Sequence, residues 1–383
     1  MSVVVQAGAV VFEHCEILKY NGEGIDIINQ SEGIIIYEDM FSPFITGELI
    51  VRDTLDLPNV LGRSGKDVVK LKIYTPGAPK EQHIDNAFII YKIGDKEIVA
   101  DRTQTYKIYF ASYEFGVDFT SHLSRKFSGS GDKITETIVK EHLKSTKSII
   151  ADKPSNSTTF VSNFWTPSKC TGFVADHSLS SKGSPSFLFY ENRDGFNFRD
   201  IHSIAESKYM QQFNASDFNT MNIDEGANKA KAVQDPLMQY TNIAGIRLDT
   251  TYDFLRDYID GTVSSKMYTF DPVTKKTRIS LYDLNNIDPI LNSNKLYQPN
   301  VVGSTAPVIM YKARGYGTFG LAEYTNYAYL QKRVGLLNLL QASKLEIDVF
   351  PNFCNKESIP TTFIALSCCS IASILVCLIV NNF

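Results

Sequence analysis

The residue types that most often catalyse reactions or bind metals are present in this sequence, but none has a spacing that indicates a site. The six histidines are scattered along the chain: His14, His83, His122, His142, His177 and His202. None belongs to H-E-x-x-H or H-x-H, the spacings that bring two imidazoles to one metal ion. G-x-S-x-G and C-x-x-C are also absent, so neither a serine nucleophile nor a zinc or redox motif is indicated. We therefore expect no catalytic, metal-binding or cofactor-binding residue, and no enzyme.

The glycine cluster Phe127–Thr135, FSGSGDKIT, is the segment closest to a phosphate-binding loop. It lacks the G-x-x-x-x-G-K-[ST] spacing that cradles nucleotide phosphates. Amide groups at the start of the following helix can hold an anion, but every capped helix offers the same groups. An ordinary helix start is the favoured interpretation.

Composition points to a folded chain of several domains. The 383 residues are 43% hydrophobic and 21% charged, which suits two to four globular domains. The formal net charge of −4 gives no reason to expect sequence-specific nucleic-acid binding. Four of the six cysteines lie at or after Cys354, so the body of the chain fits a reducing cytosol. No basic leader precedes the apolar N-terminus, which we expect to form a strand rather than a signal peptide.

Strand patterns dominate residues 1–115. Gly33–Phe41 and Phe44–Asp53 are rich in β-branched and aromatic residues. Asp67–Pro76 alternates with period two and places Val69, Leu71 and Ile73 on one face. Asn86–Phe115 predicts three more strands, with a turn at Gly94-Asp95. Together these patterns predict a first barrel-like antiparallel β domain.

Residues 116–235 predict a smaller α+β insertion. One helix is expected over Ser130–Lys144, with Asp132 as its cap. A second helix follows Trp165, with Thr166 as N-cap, Pro167 at the first helical position and Gly183 as the stop. Its predicted buried stripe is Cys170, Phe173, Val174 and His177.

A β-hairpin is predicted directly after that second helix, over Ser186–Ile201. Asp194-Gly195 supplies the positive φ that a tight reversal needs. Four phenylalanines are expected to share one face of the hairpin: Phe187, Phe189, Phe196 and Phe198.

Strand patterns return in residues 236–350. Lys266–Phe270 and Thr277–Asp283 flank an Asp271-Pro272 turn, Thr325–Ala342 predicts a helix, and Lys344–Phe350 predicts a further strand. We expect a second β domain whose closing strands are missing from the pattern. The predicted fold class is mixed β-rich, all-β plus α+β: two barrel-like antiparallel β domains with a smaller α+β insertion.

The segment Trp165–Ile201 resembles the central baseplate hub proteins of T-even-like contractile-tailed bacteriophages, including cyanophage relatives. The shared features are a Trp-Thr helix start, an aromatic strand, an acidic turn and a second strand ending in Phe-Arg-Asp. SPFITGELIVRDTLDL and SSKMYTFDPVTKKT add similar stretches before and after it. The residues that carry the resemblance, expected to be structural, are Trp165, Thr166, Pro167, Asp194, Gly195, Asp271 and Pro272.

The resemblance implies a structural role without a reaction. Three subunits would close into a homotrimeric, pseudo-sixfold ring that adapts the threefold cell-puncturing spike to the sixfold tail tube. The implied partners are the tail spike protein and tail tube or baseplate proteins. The implied location is the virion tail baseplate, assembled in the host cytoplasm. A tail-associated glycan-processing enzyme is an alternative.

Residues 351–383 depart from this pattern. Thr361–Val380 is a run of twenty residues without charge or proline, long enough to cross a hydrocarbon core as a helix. A tail-anchored β-rich membrane protein, in contact with a membrane through residues 361–380, is therefore a second alternative. The abrupt change in cysteine use favours an altered terminus instead.

Overall fold

The computed structural model of the chain describes the first half almost continuously and short strands of the second half. The described residues are 11–54, 56–61, 65–74, 84–100, 103–181, 183–206, 243–250, 264–271, 275–283, 308–312, 343–349, 364–365 and 371–372.

Strands outnumber helices throughout the described residues. The strands are β1 Val11–Leu18, β2 Gly24–Asp26, β3 Ser31–Tyr37, β4 Thr46–Asp53, β5 Val68–Tyr74, β6 Ile84–Ala100, β7 Thr103–Ser112, β8 Lys126–Ser130, β9 Ser148–Ala151, β10 Ser157–Val161, β11 Phe187–Asn192, β12 Gly195–Asp200, β13 Ile243–Thr250, β14 Ser264–Asp271, β15 Lys276–Asp283, β16 Val308–Lys312, β17 Ser343–Val349, β18 Ile364–Ala365 and β19 Ile371–Ala372. The helices are α1 Leu57–Val60, α2 Tyr113–Thr120, α3 Gly131–Thr137, α4 Pro167–His177 and α5 Ile201–Glu206, with a 3₁₀ turn at Ile28–Gln30 and a π-helical turn at Ile138–His142.

The first β unit is one antiparallel sheet in the order β18-β3-β4-β7-β6-β5-β1-β2. If this sheet were flat, β2 and β3 would lie about 29 Å apart, at ~4.8 Å per strand. The link from Asp26 to Ser31 spans at most about 18 Å. The sheet must therefore curl, and a contact of 3.5 Å between Cys15 Sγ on β1 and Ser31 Oγ on β3 shows that these two strands, each next to one end of the sheet, approach each other. The result is an open, half-barrel sheet, which confirms the predicted β-rich mixed fold class.

The inside of the curled sheet is filled by residues at alternating strand positions. On β5 the predicted inner residues Val69, Leu71 and Ile73 are each at most 1% exposed, so this prediction is confirmed. Tyr106 and Phe110 of β7 are fully buried in the same core. Period-two alternation places one side of every strand inward, which is why the sequence pattern reveals this core.

The predicted turn at Gly94-Asp95 is wrong. Both residues lie inside β6, and the register against β7 shifts between Gly94 and Glu97. Asp95 has a φ of 53°, so the pair marks a β-bulge rather than a reversal. Asn86–Phe115 therefore forms two strands followed by the start of α2, in place of three strands.

The α+β unit follows α2. The predicted hairpin is confirmed as β11 and β12, and β9 joins β12 in parallel to make a three-stranded sheet. Strands β8 and β10 form a separate antiparallel pair. Helices α3 and α4 pack with these strands around a second hydrophobic core, which is rich in phenylalanine.

Both predicted helices are present, but two of their ends differ from expectation. Ser130, and not Asp132, occupies the N-cap position of α3, and its hydroxyl donates to the Asp132 carboxylate. Helix α4 ends at His177, before the predicted stop at Gly183, because Ser178 already adopts an extended conformation. Gly183 instead lies in the following turn, with a φ of 77°.

In the second half, β14 and β15 form the predicted antiparallel hairpin, and β16 pairs with β14 in parallel. The predicted strand near Lys344 is present as β17, which pairs with β13. The predicted helix Thr325–Ala342 lies outside the described residues. The domain boundaries at 115, 235 and 350 stay predictions, and α2 runs across the first of them.

The apolar run Thr361–Val380 is described only at β18 and β19, which pair with β3 and β17 respectively. Among the residues that the structure describes, no helix has the length and apolarity needed to cross a membrane. The rest of the run lies outside them.

Candidate functional site

Trp165 lies at the entrance to α4, where it links two segments of the α+β unit. Its backbone pairs with Leu123: the Leu123 amide donates to the Trp165 carbonyl at 2.7 Å. Its ring packs 5.3 Å from the ring of Phe173, and the Lys169 ammonium lies 5.3 Å from the indole centre. Trp165 therefore anchors the start of the helix to the aromatic core.

Thr166 and Pro167 begin α4 at the predicted positions. The Thr166 hydroxyl accepts a hydrogen bond from the Lys169 amide, and Pro167 is the first helical residue. The start of α4 has a further partner, because the Asp118 carboxylate of α2 accepts from both the amide and the hydroxyl of Ser168, each at 2.6 Å. Burial raises the pKa of Asp118, while the hydrogen bonds from Ser168 lower it. Two helices are thus joined end to end.

The hairpin turn is Arg193-Asp194, and Gly195 begins β12 directly after it. Its φ is 136°, and a Cβ there would lie 2.3 Å from the Ser148 carbonyl oxygen of β9. The Asn192 side chain accepts from the amides of Asp194 and Gly195, at 3.1 Å each. This glycine therefore permits both the turn and the close approach of β9.

Asp271 ends β14 and pairs with Lys276, which begins β15. Lys275 supplies a positive φ of 56° at this reversal. Pro272 lies outside the described residues. The six predicted structural residues that the structure describes thus separate into the region around α4, the β11–β12 turn and the end of β14.

A buried charged cluster joins the sheet to the α+β unit. The Lys147 ammonium lies 2.7 Å from the Glu114 carboxylate of α2 and 2.5 Å from the Glu191 carboxylate of β11. The other Glu191 oxygen accepts from the Ile45 amide, next to β4, at 3.1 Å. Glu114 and Glu191 are 4% and 1% exposed. One lysine therefore holds together three segments that are distant in sequence.

A second ion pair lies at the same contact. Arg193 Nε, in the hairpin turn, is 3.2 Å from Glu38 Oε1, in the loop after β3. Burial raises the pKa of Glu38 to about 7, although Arg193 pulls it down; Asp194 and Glu191 push it further up. We call Glu38, Glu114, Lys147, Glu191 and Arg193 the charged junction.

Glu114 and Glu191 are not arranged like the carboxylate pair of a glycosidase. A glycosidase keeps the space between its two carboxylates for the bond that it cleaves, whereas Lys147 fills the space between Glu114 and Glu191.

Another group, Ser186, Asp200 and His202, has the residue types of a hydrolase triad. The Ser186 hydroxyl donates to Asp200 rather than to the imidazole, and all three residues are buried. No group of three metal-ligating side chains occurs among the described residues.

Helix α2 is inverted: its acidic residues are buried and two of its aromatic residues are exposed. Glu114 and Asp118 point inward, whereas Tyr113 is 60% and Phe119 is 72% exposed. An ordinary surface helix has the opposite pattern. Exposed aromatic residues at this density are typical of contact surfaces.

These aromatic residues continue onto the outer face of the sheet. Ring centres are 5.4 Å apart between Phe119 and Phe115, 5.4 Å between Phe115 and Tyr91, and 6.2 Å between Tyr91 and Tyr109. We call these four residues the aromatic strip.

The charges beside the aromatic strip neutralise one another. Lys107 lies 3.0 Å from Glu48 and 3.7 Å from Asp95, and the Lys92 ammonium lies 4.6 Å from the Tyr109 ring centre. The Tyr109 hydroxyl donates to Asp95 at 2.6 Å, and this bond raises the pKa of Tyr109 to about 12.

Sequence reasoning missed both the charged junction and the aromatic strip. One signal was present for the junction. Glu191 follows Phe187 and Phe189 at period two and so falls on the apolar face of the hairpin. A buried carboxylate needs a cation, hydrogen-bond donors or a proton, and the sequence does not show that Lys147 supplies a cation to Glu191.

No family model matches this chain, and a search of curated proteins also finds no match. Among solved structures, a tail protein from Neisseria meningitidis MC58 aligns with a TM-score of 0.50 and 10% identity, covering 90% of this chain and 82% of that one. The 43 kDa tail protein of prophage MuSo2 from Shewanella oneidensis aligns with a TM-score of 0.49 and 8% identity, covering 89% and 82%. The chain thus shares its overall fold with the Neisseria tail protein.

Proposed function

We propose that this chain is a structural subunit of the central hub of a phage tail baseplate. In this proposal three copies form a pseudo-sixfold ring that adapts a threefold cell-puncturing spike to a sixfold tail tube. Its partners are a tail spike protein and tail tube or baseplate proteins. It performs no reaction, and its surfaces contact its own copies and neighbouring tail components.

The observation that carries this proposal is the curled antiparallel sheet, within a fold shared over 90% of the chain with a tail protein. A curled sheet pairs most of its strand edges internally and is a stiff unit for a part that transmits load. The resemblance of Trp165–Ile201 to baseplate hub proteins supports the same role.

The proposed domain arrangement is compatible with such a ring. Residues 1–115 and 236–350 are two β modules, and residues 116–235 are an α+β insertion between them. Three copies of two similar modules make six, which matches a sixfold tube on one side and a threefold spike on the other.

We assign the aromatic strip to the contact with a second copy of the chain. The exposed parts of Tyr91 and Phe119 amount to roughly 240 Å² if each side chain offers about 200 Å². A stable interface needs about 800 Å² on each partner, so the strip suits the apolar centre of such an interface. Because the neighbouring charges already neutralise one another, the strip does not select a strongly charged partner.

Light scattering coupled to size-exclusion chromatography tests the proposal. We expect a single species with three times the 42.9 kDa mass of the chain. A chain that stays monomeric at micromolar concentration would contradict the ring.

A further inference from the structure

The charged junction carries an excess of negative charge. Its three carboxylates, Glu38, Glu114 and Glu191, are 3%, 4% and 1% exposed. Its two cations are Lys147 and Arg193. Burying an uncompensated charge is costly, and a proton is the smallest species that removes the cost.

The junction also connects parts of the chain that are far apart in sequence. Glu38 and the Ile45 amide belong to the loop between β3 and β4 of the sheet. Glu191 and Arg193 belong to the hairpin of the α+β unit, and Glu114 belongs to α2. A change in the charge of this cluster therefore acts on the contact between the two units.

We infer that this contact is a proton-dependent junction, in which protonation of Glu38 tightens the packing of the α+β unit against the sheet. With Glu38 protonated, the buried charges that remain are Glu114 and Glu191, which share Lys147. With Glu38 charged, a third buried carboxylate is paired with Arg193 but repelled by Asp194 and Glu191.

Glu38 is the site because of the groups that face it. Arg193 contacts it from the hairpin turn, while Asp194 and Glu191 of the same hairpin repel its charged form. Glu191 is itself held by Lys147 and also faces Glu114 of α2. No other cation is paired with Glu38 in the part of the chain that the structure describes.

The direction of the effect follows from the two pKa values of Glu38. Its pKa is about 7 in the folded chain, against an ordinary value of 4.5. Between pH 4.5 and 7 the folded state therefore binds more protons than the unfolded state, so stability falls as the pH rises through this window. Above pH 7 the stabilisation by this proton is lost.

The only tryptophan, Trp165, lies in the α+β unit and reports its unfolding by fluorescence. Urea unfolding of the full chain should be followed at pH 6 and pH 8. For the wild type we expect Glu38 to make the unfolding constant about tenfold larger at pH 8 than at pH 6. Titrating groups outside the charged junction, including the six histidines, should contribute about equally to the wild type and to each variant.

The ratio of the unfolding equilibrium constant at pH 8 to that at pH 6 should be about tenfold smaller in Glu38→Gln than in the wild type. Glutamine resembles the protonated glutamate side chain in size and charge, so it cannot lose a proton in this range. Glu136→Gln is the matched control: it makes the same change in an exposed pair with Lys140, and should leave the wild-type ratio unchanged.

Arg193→Gln removes the cation that lowers the pKa of Glu38, so the pH dependence should move above pH 7. A ratio that is the same in Glu38→Gln as in the wild type would overturn the inference. So would an unshifted window in Arg193→Gln.

Discussion

The curled sheet and the α+β unit are built on different principles, although they lie next to each other. The sheet core is almost entirely apolar, and Asp53, which accepts from the Tyr106 hydroxyl, is one of its few buried carboxylates. The α+β unit has a core of phenylalanines surrounded by buried polar groups. Those between α2 and α5 include Asp118, Thr135, Ser145, Thr158, Ser162, Thr171, Ser178, Ser186, Asn192, Asn197 and Asp200.

The two regions are therefore stabilised by different kinds of interaction. The sheet is stabilised by buried apolar area, and such a core tolerates apolar substitutions that conserve volume. The α+β unit and its contact with the sheet depend on individual hydrogen bonds and ion pairs. Removing one partner of such a pair is costly, because the other partner stays buried without it. The stability lost on substitution should therefore increase with the side-chain volume removed in the sheet. At the charged junction it should depend on how many charged partners are lost.

The largest effect is expected in the sheet. Phe110→Ala should lower the free energy of unfolding by about 4 kcal/mol, because a fully buried ring is replaced by a cavity. Lys107→Ala, on the outer face of the same strand, should cost less than about 1 kcal/mol. Urea unfolding followed by circular dichroism measures both. Equal losses for the two variants would mean that the inner and outer faces are assigned wrongly.

At the junction, Lys147→Met should cost about 3 kcal/mol, because Glu114 and Glu191 lose their shared cation. We take the lower end of the usual range since the Lys147 side chain is 35% exposed. Lys140→Met, which breaks an exposed pair with Glu136, should cost at most about 0.5 kcal/mol. The unfolding midpoint followed through Trp165 compares them. If both variants lose the same stability, the junction does not hold the units together.

The hairpin turn provides a test in which no charge is involved. Gly195→Ala should cost about 2–3 kcal/mol, because its Cβ meets the Ser148 carbonyl at an unfavourable φ. Gly172→Ala, inside α4 with no atom within 4 Å of the added Cβ, should instead stabilise by about 0.5–1 kcal/mol. Thermal unfolding distinguishes the two signs, and a stable Gly195→Ala protein would show that β9 can move away.

The smallest expected effect concerns association rather than folding. Phe119→Asp in the aromatic strip should weaken association by about 2 kcal/mol, or roughly 30-fold, with little change in unfolding. Ile98→Asp places the same charge at a residue that is 81% exposed and outside the strip, and should not change the oligomeric mass. Light scattering over a dilution series measures both. An unchanged mass for Phe119→Asp would locate the contact elsewhere.

The sequence was sufficient wherever a local pattern determined the structure. Alternation along β5, the N-cap Thr166 and the tight turn after Asn192 are each set by neighbours in sequence, and the structure has all three. The bulge at Asp95 shows the limit of such patterns. A glycine before an aspartate is typical of both bulges and reversals, and only pairing with β7 decides between them.

The features that the sequence did not predict depend on contacts between residues that are distant in sequence. Helix α2 was missed because its buried face carries Glu114 and Asp118, which reverses the usual amphipathic signal. These carboxylates are buried only because Lys147, Ser145 and Ser168 bind them from later segments. Long-range pairing of this kind leaves no periodic mark in a single sequence.

Electron microscopy of the purified full chain tests the central claim most directly. If the chain is a hub subunit, class averages should show closed rings with threefold symmetry and six β modules around the circumference. Single particles of one chain, or open filaments without a closed ring, would contradict it.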